Sequence, residues 1–228
     1  MREIIKAKKI TKTYTSACGK QHRVLTGVSL AVREGEIVCV MGESGSGKST
    51  LVKILAGLVR ADSGTVFVDG VVHTSPDPSI QMVFQDALPS FNRYRTIGDS
   101  IEEGAIYHDT HCSAERMAML VGLDAHLLER LPSQLSGGQV RRAALARAIA
   151  MKPRVLLADE LTSGLDLTVQ AGLLNLLVKL AKEENIAILL VCHDAKVVRH
   201  LADYVVIIAG GQVAAEGTVD NLTRRGLL

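Results

Sequence analysis

Residues 42–49 read Gly-Glu-Ser-Gly-Ser-Gly-Lys-Ser, between an apolar strand-like run, Glu36–Met41, and a helix-like stretch, Ser49–Leu58. A G-x-x-x-x-G-K-[ST] spacing demands a buried strand that stops abruptly, a backbone that curls on itself, and a helix that starts at once. Glycine permits the curl, and the curl turns successive N–H groups towards a single anion. The new helix adds its positive end. On this reading Gly42, Glu43, Ser44, Gly45, Ser46 and Gly47 wrap phosphate with their backbone. Lys48 brings a mobile charge to the β- and γ-phosphates, Ser49 offers a hydroxyl to Mg2+, and Thr50 reaches the α-phosphate. An ordinary glycine turn has no need of Lys followed by Ser at its end.

A second apolar run, Val155-Leu-Leu-Ala158, ends in Asp159-Glu160. Ligands in parallel α/β sheets sit beyond the carboxyl ends of the strands. Successive residues at a strand end point in different directions, so the two acids have different work. Asp159 suits Mg2+, largely through water. Glu160 suits the orientation or deprotonation of an attacking water. Alone, an acidic pair at a strand end is commonly just solvated; beside a phosphate loop it reads as catalytic.

The rest of the chain fits one α/β unit. Segments 4–14 and 24–32 read as β-structure around a glycine turn, with Val28, Leu30 and Val32 alternating. Segments 65–68, 80–84, 154–158, 186–191 and 205–209 read as strands, and 167–182 as a helix. From Thr96 to Ala150 the pattern is helical. Strands alternating with helices predict a mostly parallel sheet. The expected division of residues 1–228 is a catalytic core with a β subdomain over about 1–85 and 151–228, and a helical subdomain over 86–150. Hydrophobic residues make up 47% of the chain and charged ones 22%, a globular balance. A net charge of +2 is too weak to argue for nucleic acid, although Arg141-Arg142 form a local basic pair. The cysteines at 18, 39, 112 and 192 lack metal-ligand or redox spacing. Cys39 and Cys192 lie in apolar runs and read as core residues, and a reducing compartment is expected. No signal-peptide core opens the chain, and no apolar run reaches the ~18 residues of a membrane span.

Residues 135–139 read Leu-Ser-Gly-Gly-Gln ahead of a strongly helical stretch, Arg141–Ala150. A Ser-capped helix with bare glycines in its first turn is a second phosphate site. With it, the chain resembles the ATP-binding cassette (ABC) ATPases over essentially its whole length. Further family motifs follow in order. Tyr14 matches the aromatic that stacks on adenine. Gln85, in Met-Val-Phe-Gln-Asp, matches the glutamine that senses Mg2+ and water. Ser163-Gly-Leu-Asp166 resembles the loop that crosses the dimer interface, and His193 matches the switch histidine at the γ-phosphate.

The resemblance implies an α/β P-loop NTPase with a RecA-like, mostly parallel sheet core, an N-terminal antiparallel β subdomain and an inserted α-helical subdomain. It implies catalytic roles for Glu160, His193 and Gln85, and metal contacts from Ser49, Gln85 and Asp159. It also implies ATP and Mg2+ held in a head-to-tail dimer, between the phosphate loop of one subunit and Ser136, Gly137, Gly138 and Gln139 of the other, with Asp166 at the interface. The mate is an identical copy or a related ATPase. The implied partners are transmembrane permease subunits, docked near Gln85–Arg95, and an extracytoplasmic solute-binding protein. The implied place is the cytoplasmic face of the inner membrane, peripheral, with no transmembrane segment of its own and no nucleic acid.

Gln81–Asp86, Ser90-Phe-Asn92 and Asp166–Ala171 are similar to the oligopeptide and nickel importer ATPases, which implies peptide or nickel/metal-chelate import. Leu161 stands where that family usually has proline, and Gly164 where alanine is common. An exporter or lipoprotein-release ATPase is the alternative, and a soluble nucleic-acid- or ribosome-associated ABC protein a further one.

Overall fold

In the computed structural model, residues 2–16, 18–107, 112–162 and 166–228 are described. The chain opens with a long hairpin, β1 (Glu3–Thr15) and β2 (Gln21–Arg33). Its inward residues pair across the strands, Ala7 with Leu30 and Ile10 with Val28. Next come β3 (Ile37–Met41) and α1 (Lys48–Leu55). β4 (Ser63–Val68) and β5 (Val71–His73) complete a four-stranded antiparallel sheet in the order β2-β1-β4-β5. β6 (Ile80–Val83) leads into the helical middle of α2 (Ile97–Tyr107), α3 (Ala114–Leu120) and α4 (Gly137–Ala150). Then β7 (Val155–Asp159), α5 (Leu167–Glu184), β8 (Ala187–Val191), α6 (Ala195–Leu201), β9 (Tyr204–Ala209), β10 (Gln212–Gly217) and α7 (Val219–Arg224) follow in turn.

The second sheet has six strands in the order β10-β9-β3-β8-β7-β6. Its strands run parallel except β10, which pairs antiparallel with β9 at one edge. Period-2 alternation divides the core between its faces. Ile37, Cys39, Leu156, Ala158, Ile188 and Leu190 point towards the helical middle and α5. Val38, Val40, Val155, Leu157, Leu189 and Val191 point towards α1 and the antiparallel sheet. Strands covered on both faces need apolar side chains at every position, which is why β3, β7 and β8 read as unbroken apolar runs.

Three details differ from the sequence reading. The stretch 96–150 is not continuously helical: 3₁₀ turns at Ala125–Glu129 and Pro132–Gln134 separate α3 from α4. The segment 86–95, expected within the helical middle, is largely irregular with one 3₁₀ turn at Leu88–Ser90. Helix α1 ends at Leu55, because the chain turns at Gly57 with φ 73°. Cys39 and Cys192 are buried core residues as expected, and all four cysteines are free.

The fold gathers the carboxyl ends of β3, β8, β7 and β6 side by side. Gly42, His193, Glu160 and Gln85 leave those four ends within two residues of the strands.

Candidate nucleotide site

The loop after β3 can only be built from glycines at its two ends. Gly42 has φ 147°, and a Cβ there would lie 2.1 Å from the Ile208 carbonyl oxygen. Gly47 has φ 102°, and its Cβ would lie 2.7 Å from both the Val24 carbonyl oxygen and Leu25 Cδ2. The loop is therefore clamped between β9 and the hairpin, with its backbone curled as phosphate binding requires. Lys48 opens α1 and folds back: its Nζ donates to the Gly42 carbonyl at 2.8 Å and the Glu43 carbonyl at 2.7 Å. Only 7% of Lys48 is exposed, so the ammonium is held inside the loop. Ser46 Oγ is buried with no protein partner, one donor left over inside the cradle.

A groove of about 430 Å3 runs from Tyr14 and His22, along Ser44–Thr50, to Gln85 and Glu160. Tyr14 is 42% exposed and stands at its mouth. Lys12 Nζ lies 5.5 Å from the Tyr14 ring centroid and pairs with Asp62 at 2.9 Å. His22 and Val24 were not singled out from sequence. Register places His22: it pairs with Tyr14 across the hairpin, so the strand opposite the tyrosine shares its end of the groove.

At the other end of the groove Glu160 follows the end of β7, where it and Asp159 stand in different surroundings. Asp159 is 5% exposed, and its Oδ1 has no hydrogen-bond partner. Burial pushes its carboxyl above the ordinary value, while the Ser49 hydroxyl pulls it back. An orphaned carboxylate oxygen beside a serine hydroxyl is a donor set that fits a hard divalent cation. Glu160 sits in the left-handed region at φ 51°, a strained conformation for a glutamate, with its N–H donating to the Val191 carbonyl at 3.2 Å. That twist turns its carboxylate towards two neighbours. Gln85 Nε2 donates to Glu160 Oε2 at 2.7 Å. His193 Nδ1 lies 3.7 Å from Glu160 Oε1, and the His193 side chain is 65% exposed.

The Leu135–Gln139 stretch, the signature of the chain, lies apart from this groove, since none of Ser136, Gly137, Gly138 or Gln139 lines it. It forms a capping box: Gln139 N–H donates to Ser136 Oγ at 3.4 Å, and Ser136 N–H donates to Gln139 Oε1 at 2.8 Å. The first turn of α4 carries no acidic residue, and a Cβ on Gly137 would meet open space. Asp166 caps α5 by accepting from Val169 N–H at 3.0 Å. Ser163, Gly164 and Leu165 lie outside the described residues.

The sequence pattern of the ABC transporter family matches residues 25–163. The chain belongs to that family. It is 37% identical over 238 residues to the oligopeptide transport ATP-binding protein OppF of Lactococcus lactis, covering 96% of this chain and 75% of that protein. Identity to the protein of the same name from Escherichia coli is 37% over 218 residues, or 89% of this chain and 65% of that one. Among solved structures, the dimeric post-hydrolysis state of an ATP-binding cassette bound to ADP and Pi matches with a TM-score of 0.86 and 30% identity. The match covers 95% of this chain and 99% of that one. This ABC chain is thus an ATPase. The fold is that of an ABC cassette: a parallel core with an antiparallel edge strand, an antiparallel β subdomain and inserted helices.

Proposed function

We propose that this chain is the ATP-hydrolysing subunit of a peptide importer, working as a head-to-tail dimer. One observation supports the dimer: the loop at Gly42–Thr50 and the capped helix start at Ser136–Gln139, each suited to an anion, lie in separate surroundings. Each half-site is then completed by the partner subunit. The relatives named for oligopeptide transport support peptide as the cargo.

In hydrolysis, Lys48 leaves the carbonyls of Gly42 and Glu43 for the β- and γ-phosphate oxygens, and the loop N–H groups cradle the rest. Tyr14 stacks on the base, and His22 lies alongside. Ser49, Asp159 and Gln85 would hold Mg2+, which supplies charge neutralisation at the transferring phosphoryl group. Glu160, oriented by Gln85, accepts a proton from the attacking water, and His193 donates to the γ-phosphate oxygens. Because phosphoryl transfer asks chiefly for positioning and charge, these side chains account for the machinery. Loss of the γ-phosphate removes contacts on both sides of the interface and reopens the dimer.

Residues 86–150 act as the subdomain that carries the signature and meets the membrane partner. Beside Gln85, an apolar groove of about 360 Å3 is lined by Leu88, Pro89, Phe91, Arg93 and Pro132. Tyr94, 76% exposed, has its ring 4.6 Å from the guanidinium of Arg93, which lines this groove. No helix among the described residues is long and apolar enough to cross a membrane. In the proposed complex, permease subunits supply the channel, a peptide-binding protein outside the membrane delivers the cargo, and this chain lies on the cytoplasmic face. The relatives named for oligopeptide transport support that arrangement. Affinity purification from detergent-solubilised membranes tests this assignment. Recovery of a two-component permease with a peptide-binding protein is the expected result, and recovery of ribosomes or nucleic acid instead would refute it.

A further inference from the structure

Arg147 belongs to neither the loop at Gly42–Thr50 nor the cap at Ser136–Gln139, yet it ties the helix that starts at that cap to the segment that follows Gln85. It lies on α4, about three turns beyond the Ser136 cap. Its guanidinium donates from Nη1 to the Ser90 carbonyl at 2.8 Å and from Nη2 to Ser90 Oγ at 2.8 Å. The same group lies 4.2 Å from the Phe91 ring centroid. Burial pulls the guanidinium below its ordinary value, and the Glu103 carboxylate opposes that shift. A planar fork makes two parallel bonds and a ring contact at once, which an ammonium cannot.

The anchored turn is short and closed. Ser90 Oγ and Ser90 N–H both donate to the Ala87 carbonyl, at 2.7 Å and 3.1 Å, and Ala87 is 3% exposed. Asp86 alone then separates this turn from Gln85, whose amide meets Glu160. One helix thus carries the signature at its first residue and, further along, the anchor of the segment that orients the catalytic carboxylate.

We propose that Arg147 is a positioning residue for hydrolysis, tying the Gln85 segment to the signature helix so that Gln85 engages Glu160 in step with the movement of α4 as two protomers close. This rests on the reading of Glu160 as the base and Gln85 as its orienting partner. An arginine that merely packs would change stability and leave turnover per folded molecule intact. A positioning residue changes kcat while ATP affinity holds.

The test is steady-state ATP hydrolysis by the purified chain, with ATP affinity and melting temperature measured separately, for Arg147→Met, Arg147→Lys, Ser90→Ala and the Arg147→Met/Ser90→Ala double variant. Arg147→Met is expected to lower kcat on the order of tenfold, with ATP affinity within about twofold of wild type. Arg147→Lys recovers part of the loss, because it keeps the cation over Phe91 and one donor. Ser90→Ala lowers kcat about threefold, and adds nothing in the double variant, since both changes break the same link. Wild-type kcat in Arg147→Met, fully additive losses, or affinity falling in proportion to kcat would each overturn the proposal. If Arg147→Met does not fold, unchanged kcat in both Ser90→Ala and Arg147→Lys overturns it equally. Glu160→Gln serves as the control. Normal turnover there rejects the underlying site reading, whereas lost turnover there with normal Arg147→Met rejects the clamp alone.

Discussion

Asp159 closes a strand whose every residue is buried, and one of its carboxylate oxygens finds no protein donor. Its pKa is raised by burial from the ordinary 3.8. The folded chain therefore holds this proton more tightly than the unfolded chain does. Stability from the protonated group is complete below the ordinary value and is lost as pH rises through the raised one. At neutral pH the nucleotide-free protein carries that cost in full. Asp159→Asn should thus melt at a higher temperature than wild type at pH 7, with the advantage vanishing in acid, while hydrolysis is lost; melting curves across pH check the sign. Lys48 offers a second test. On the proposed reading its bonds to the Gly42 and Glu43 carbonyls are exchanged for phosphate oxygens on binding, and charge-assisted bonds are worth about 1.5–3 kcal/mol each. Lys48→Ala should weaken ATP binding at least about tenfold, measured by titration with a fluorescent nucleotide; wild-type affinity would contradict the loop reading.

At the level of elements, α4 begins where the chemistry needs it to. Ser136→Ala removes the acceptor for Gln139 N–H and should cost about 1 kcal/mol of stability, read from denaturant unfolding. Gly47→Ala should do worse, because φ 102° and a 2.7 Å approach to the Val24 carbonyl leave no place for a methyl group. Much of this was legible in sequence. Glu36–Met41 and Val155–Ala158 announced β3 and β7 because strands buried on both faces must be apolar throughout. The glycine spacing announced the loop, and the signature announced the start of α4. The rest was hidden for physical reasons. β5 has three residues and exposes Val71 and Val72, so it shows no inward periodicity. β10, Gln212–Gly217, holds the sheet edge with a single pairing partner and little apolar signal. α6 and α7 span only two turns each. His22 joins the groove through hairpin register, which motif spacing does not encode. The contact of Arg147 with Ser90 bridges 57 positions and left no local trace.

Across the whole molecule, the six-stranded sheet acts as a partition. One face packs the antiparallel sheet and α1 against the nucleotide loop; the other packs the helices that present the signature. Gly42, Gln85, Glu160 and His193 emerge along one edge of that partition, and the Ser136 cap belongs to the helical side. On the proposed reading, a chain so divided holds two incomplete sites. On that same reading it gains full contact with a triphosphate only by meeting a second cassette in the opposite orientation. Sedimentation velocity of Glu160→Gln tests this most directly, run with saturating Mg-ATP, alone and mixed with any ATPase subunit that co-purifies with it. A stable dimer in ATP, a monomer in ADP and loss of the dimer on Ser136→Arg are the expected results. A monomer in ATP under both conditions would contradict the shared-site account.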